Sequence, residues 1–196
     1  MKISNSCKIN HTNVRLIVLC LAFLCYFNVV KSQSQSDELR IAQIKTLYKN
    51  AQQYLEGATN CRESVRVDKI PYSEFFEDTE SNEMIEFEHK VKKCLLPDNL
   101  SVITAHFSDW EWGEDISYFL ENGKIFFVFD REYDVAGEIE TRIYFDTSGR
   151  VIRILSKSNY ETGEMSENIQ EKDPKEIQRI NDFILEQYQK AQNILN

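Results

Sequence analysis

Ile116-Ser-Tyr-Phe-Leu-Glu-Asn-Gly-Lys-Ile-Phe-Phe-Val-Phe-Asp130 is the stretch on which the reading of this chain turns. Asn122-Gly123 sits between two apolar runs. Both residue types accept the positive φ that a two-residue hairpin turn demands, which makes the pair a strong hairpin signal. Such a turn pairs Glu121 with Lys124, Leu120 with Ile125 and Tyr118 with Phe127. Side chains alternate across a strand, so Ile116, Tyr118, Leu120, Ile125, Phe127 and Phe129 are expected on one face. The other face then carries Phe119, Phe126, Val128, Tyr144 and Val151 among Glu121, Lys124, Asp130, Glu140, Arg142 and Arg153.

The pattern continues on both sides of that hairpin. Downstream, Glu138–Phe145 and Arg150–Ser156 flank the turn Asp146-Thr-Ser-Gly149, and a four-residue loop brings Ile139, Ile143, Ile152 and Ile154 together. Upstream, Ile85–Val91 alternates, Pro97-Asp98 supplies a turn and Val102–Phe107 returns. Pairing His89 directly with His106 would put Ala105 and Phe107 beside Glu88 and Lys90. A one-residue shift restores an apolar face and sends the two histidines to opposite faces. Six antiparallel strands result. Ser64–Ile70 reads as a further short strand and Phe75–Asn82 as an acidic loop.

Helices flank the strands. Ser36 can cap a helix with Asp37 and Glu38 in its first turn, and Ile41, Ile44, Leu47, Tyr48, Ala51, Tyr54 and Leu55 form its apolar stripe up to Gly57. The last helix opens on Asp173-Pro174-Lys175-Glu176: an N-cap, a proline at the first helical position and an acid three residues after the cap. Its stripe is Ile177, Ile180, Ile184, Tyr188, Ala191 and Leu195. The fold class expected is α+β, an antiparallel meander of about six strands between an N-terminal and a C-terminal helix.

Residues 1–32 read as a cleaved signal peptide. Lys2, Lys8 and Arg15 precede an apolar run of 12 residues, Leu16–Phe27, shorter than the roughly 18–20 residues of a spanning helix. Val30-Lys31-Ser32 places the cut after Ser32, with Ser34 as the other choice. The 196-residue chain carries a net charge of −9. The leader removes four basic and no acidic residues, leaving residues 33–196 as one acidic domain at −13. That balance excludes nonspecific nucleic-acid binding, which needs a basic footprint. Of five cysteines, Cys61 and Cys94 remain, and an even pair in an oxidising compartment reads as one disulfide. Asn99-Leu100-Ser101 is a glycosylation sequon. The expectation is a secreted or periplasmic protein, soluble, with no membrane insertion once the leader is gone.

Chemistry-bearing motifs are sparse. There is no His-x-x-x-His or Cys-x-x-Cys spacing, no Gly-x-Ser-x-Gly and no phosphate-binding glycine loop, so no metal, cofactor or catalytic residue is assigned. Asp109-Trp-Glu-Trp-Gly-Glu-Asp115 packs four acids and two tryptophans into seven residues without the spacing of a calcium loop. The strand–turn–strand segments Tyr118–Phe129 and Arg142–Arg153 resemble those of small exported bacterial proteins without an assigned function, which implies export and lends no catalytic residues. The function expected is a noncatalytic binding or inhibitor-like module for a protein or glycan partner. Trp110, Trp112, Phe126, Arg142, Tyr144 and Arg153 are its binding residues. The alternative is a carboxylate-dependent hydrolase centred on Asp109–Asp115.

Overall fold

The Asn122-Gly123 turn forms, with φ of 52° and 77°, and joins β4 (Trp112–Glu121) to β5 (Lys124–Asp134). Glu121 pairs with Lys124 and Leu120 with Ile125 as the turn chemistry requires. The next step departs from a regular ladder. Phe119 pairs with Phe127 and Tyr118 with Val128, so Phe126 is an extra residue on β5. A bulge of this kind moves every later side chain to the opposite face. Val128 and Asp130 therefore join Ile116 and Tyr118, while Phe127 and Phe129 cross to the second face, the reverse of the alternation expected from an unbroken hairpin. Charge explains the choice. An unbulged register would set Asp130 against Asp115, whereas the bulge sets Arg131 there, 2.6 Å from the Asp115 carboxylate.

The computed structural model describes residues 35–74, 83–160 and 163–196. The expected leader over residues 1–32 and the expected acidic loop Phe75–Asn82 lie outside them. Residues 42–196 form one compact unit, and the described residues 35–41 belong to a second. Eight strands, not six, build one antiparallel sheet in sequence order. To β4 and β5 are added β1 (Cys61–Pro71), β2 (Met84–Leu95), β3 (Leu100–Ser108), β6 (Glu138–Phe145), β7 (Val151–Ser158) and β8 (Ile169–Gln170). β1 is longer than its weak signal suggested, because its charged outer positions are those of an edge strand. β8 has two residues, too few for any periodicity to show.

Val91 pairs with Ala105, which places His89 on one face and His106 on the other, as the apolar register required. The β6–β7 ladder carries a second bulge at Ile152, since Tyr144 pairs with Arg153 but Phe145 with Val151. Val151 thus belongs to the first face, where it packs against the core.

Helices cover both faces. α2 (Pro174–Leu195) starts where expected: Lys175 N donates to the Asp173 carboxylate at 3.0 Å, and Pro174 opens the first turn. It buries Ile184, Ala191 and Leu195 against Val91, Ile103, Phe107, Ile116, Tyr118, Val128, Ile143 and Ile154. The Tyr118 hydroxyl donates to the Ile184 carbonyl at 3.1 Å, so the largest buried polar ring is satisfied. The first helix, α1, is already helical at residue 35 and runs to 55, so Ser36 lies inside it rather than capping it. It ends before Gly57, whose N donates to the Tyr54 carbonyl. Ile44 and Ala51 are buried, and the Tyr48 ring meets Phe119 and Phe127 on the second face edge-on, with centroids 5.0 Å apart in both pairs. No helix among the described residues is long and apolar enough to cross a membrane.

Cys61 and Cys94 are paired residues of β1 and β2 and are joined by the disulfide, which closes a sequence separation of 33. The bond ties the edge strand to the interior of the sheet. Removing a cross-link that spans a loop of this size costs about 3–4 kcal/mol on the chain-entropy account. Chemical denaturation of the Cys61→Ser/Cys94→Ser double variant should show a stability loss of that order. A midpoint equal to that of the oxidised parent would contradict a structural role for the bond.

Candidate functional site

The bulge and α1 together make a groove. Phe127 and Phe129 of β5, sent to the second face by Phe126, form its floor with Arg142 and Tyr144 of β6. Ile44, Lys45 and Tyr48 of α1 form the opposite wall, and Glu140 completes a cavity of about 450 Å³. Four of its lining residues are aromatic, and the Tyr144 and Phe127 ring centroids lie 5.1 Å apart. Arg142 is held in place before any ligand arrives. Its Nη1 donates to Asn168 at 2.9 Å, its Nη2 to Glu140 at 3.0 Å, and its guanidinium stacks 5.9 Å from the Phe129 centroid. Lys157 also reaches Glu140, at 2.8 Å, so that acid is already balanced by two cations. The balance of charge at the groove is positive.

Of the residues singled out in the sequence, Arg142 and Tyr144 line this groove together. Arg153 pairs with Tyr144 across the β6–β7 ladder but does not line the cavity. Phe126 is 1% exposed, with its ring 6.4 Å from that of Phe119, so it shapes the sheet and offers no surface. The two tryptophans lie elsewhere. Trp110 is 47% exposed in the turn before β4, with its ring edge toward Tyr72 at 6.2 Å, and Trp112 packs against the α2 core. Both line an open depression of about 350 Å³ with Asp109, Glu111, Tyr133 and Asp134. Gly113 belongs to this arrangement, since a Cβ there would sit 2.5 Å from the Tyr133 ring. Ile44, Lys45, Tyr48, Phe127 and Phe129 escaped the sequence reading. The signal that could have found the two phenylalanines is the Asp115–Asp130 clash of the unbulged register.

The acids of Asp109–Asp115 are dispersed to different tasks. Asp109 accepts from the backbone N of Glu111 and Trp112, at 3.2 and 3.1 Å, and so shapes the turn. Glu111 is exposed. Asp115 faces the α1 side with His106 at 2.9 Å and Arg131 at 2.6 Å. Burial alone would raise its carboxyl, but those two hydrogen bonds and charges win and hold it below the usual range. Glu114 points the other way, under α2, and is fully buried. Asp130 joins it there at 2% exposure, and both Glu114 oxygens and Asp130 Oδ1 lack a hydrogen-bond partner. Burial pushes the Glu114 carboxyl up, and the negative charge of Glu132 pushes it further. Asp130 is raised by burial and then by the charges of Glu114 and Glu132. Neither group is expected to ionise in the usual carboxylate range.

Compared with known protein families, curated proteins and solved structures, the chain matches none.

The buried acids set a pH dependence. A carboxyl whose pKa is raised by folding stabilises the native state fully below its unfolded pKa of about 4 and loses that contribution as pH rises through the folded value. Glu114→Gln keeps the shape and removes the ionisation. Its stability relative to the parent should improve from acid to alkaline pH by on the order of 2 kcal/mol, measured by urea unfolding across the range. A difference independent of pH would show that Glu114 ionises in the native state as freely as in the unfolded one.

Proposed function

We propose that the chain is an exported binding module without chemistry of its own, whose groove between α1 and the β5–β6 face holds a partner segment combining an apolar ring with a negative charge. The observation that carries this reading is the groove itself: about 450 Å³, walled by Tyr48, Phe127, Phe129 and Tyr144, with Lys45 and Arg142 beside them. Its size and its mix of an apolar lining with a few fixed polar groups are those of ligand sites in general. The chain carries a net −9, so two cations at one aromatic cleft invert the charge of the rest and favour an anionic group there. Arg142 is preorganised by Glu140 and Asn168, which lowers the ordering cost of using it. A protein segment with an aromatic residue beside an acidic one has this chemistry.

The hydrolase alternative has less in its support. Asp109 is committed to a turn, Asp115 to His106 and Arg131, and Glu114 is buried on the opposite face from Asp115. Asp109 and Glu111 line one open depression, but Asp109 is tied there to the backbone N of Glu111 and Trp112 rather than set to exchange a proton.

The fluorescent aromatic anion anilinonaphthalenesulfonate is a suitable probe of the groove. It should bind the folded protein at one saturable site, weakened about tenfold in Arg142→Ala and in Tyr48→Ala, since a charge-assisted contact and a ring contact are each lost. Trp110→Ala should bind as the parent does. If binding is indifferent to Arg142 and Tyr48, or if the loss follows Trp110, the groove is not the site.

Export is part of the proposal. The leader-like residues 1–32 motivate it, and the Cys61–Cys94 bond belongs to an oxidising compartment. N-terminal sequencing of the protein recovered outside the cytoplasm should begin at Gln33, or at Gln35 if cleavage follows Ser34. A chain that keeps Met1 there would sink this part of the reading.

A further inference from the structure

We propose that the cavity between α2 and the sheet is a binding site for a small organic ammonium ion carrying an apolar body. This cavity, about 350 Å³, lies on the face opposite the aromatic groove and stands independently of it. Asp130 and Glu132 of β5 line one wall. Ile139, Ile180 and Phe183 give the rest an apolar surface.

The other polar groups around the cavity are already used. The Thr141 and Ser156 hydroxyls bond each other at 3.2 Å. Glu171 accepts from the N of Lys172 and of Asp173, each at 2.7 Å, and Glu176 is paired with Arg179 at 2.6 Å. What remains is Asp130, 2% exposed, with Oδ1 lacking any partner. Among the described residues no basic side chain forms an ion pair with Asp130 or Glu132. The side chains that do approach Asp130 are two further acids, Glu114 and Glu132, so this buried group has no opposite charge beside it, a costly arrangement that a cation supplied from outside relieves. No cluster of three ligating side chains suited to a metal ion occurs among the described residues, so the chemistry favours an organic cation over a metal. The apolar wall asks that the cation carry a hydrocarbon body, and the volume admits one of the size of a single aromatic ring with a short chain.

Charged and titratable groups reach this acid from every element packed there. They are Glu114 and Tyr118 of β4, Glu132 of β5, Glu171 ahead of α2, and Glu176 and Arg179 of α2, with Lys190 of α2 acting on Glu114. Together, burial and the neighbouring acids keep the Asp130 carboxyl protonated when the cavity is empty. An entering ammonium reverses that preference. The Asp130 proton leaves to solvent as the ion pair forms, so uptake of the cation releases a proton and tightens as pH rises.

Isothermal titration with phenethylammonium chloride, repeated near neutral pH in two buffers of different ionisation enthalpy, reads both binding and proton release. The expected result is one saturable site, a buffer-dependent heat that corresponds to proton release, and no binding of the neutral isostere phenethyl alcohol. Asp130→Asn should weaken the amine about 10- to 100-fold, the range for losing a charge-assisted contact. Glu132→Gln, at a less buried position, should weaken it by a smaller factor and decides the matter if Asp130→Asn fails to fold. Absence of saturable heat from the folded parent, equal binding of the alcohol, or unchanged affinity in whichever of these variants folds would overturn the proposal.

Discussion

One extra residue in the β4–β5 hairpin organises the rest of this structure. Phe126 interrupts the ladder between the pairs Phe119–Phe127 and Leu120–Ile125, and everything beyond it on β5 changes face. Phe127 and Phe129 become the floor of the aromatic groove. Asp130 and Glu132 go under α2, where Asp130 meets Glu114 in the interior. Arg131 comes opposite Asp115. Without the bulge the groove would lose its two central rings and the buried acid its place. A single backbone irregularity thus sets the character of both cavities, in keeping with the frequent occurrence of bulges beside functional sites.

The two helices divide the sheet between two kinds of environment. α2 brings aliphatic side chains onto the first face, and that contact contains most of the fully buried residues. Burying an isoleucine such as Ile184 contributes roughly 1.5–3 kcal/mol. α1 contributes fewer buried residues and meets the second face largely through Tyr48, leaving space beside the ring rather than filling it. A helix seated on one large aromatic contact makes a groove where a fully interdigitated one would make a core. The disulfide acts at the far edge, where β1 has too few apolar positions to hold itself by burial.

The legible parts of the fold were those governed by local chemistry. Asn122-Gly123 marked its turn because few residue pairs accept two positive φ angles in succession. Asp173-Pro174 marked the start of α2 because a capping oxygen and a preset φ serve the same end. The β2–β3 register followed from keeping Phe87 and Val91 with Ile103, Ala105 and Phe107. β8 was illegible, since a two-residue strand has no period to read, and β1 only partly so, since an edge strand need not alternate cleanly. Of the candidate site, Arg142 and Tyr144 were visible as an aromatic–basic pair on one strand. Lys45 and Tyr48 were not, because nothing in a helical stripe reports which part of a sheet the helix will cover.

The chain by itself determined the α+β class, the order of its principal strands and the N-terminus of α2, each of which rests on residues close in sequence, while the Cys61–Cys94 bond was an expectation that the β1–β2 pairing settled. Tertiary structure alone decided which face each aromatic occupies, where the carboxylates of Asp109–Asp115 point, and that a buried acid lines a cavity beneath α2. Those outcomes depend on one ladder step at Phe126. A shift of one residue in register barely alters the local pattern, yet it exchanges the two faces of a strand.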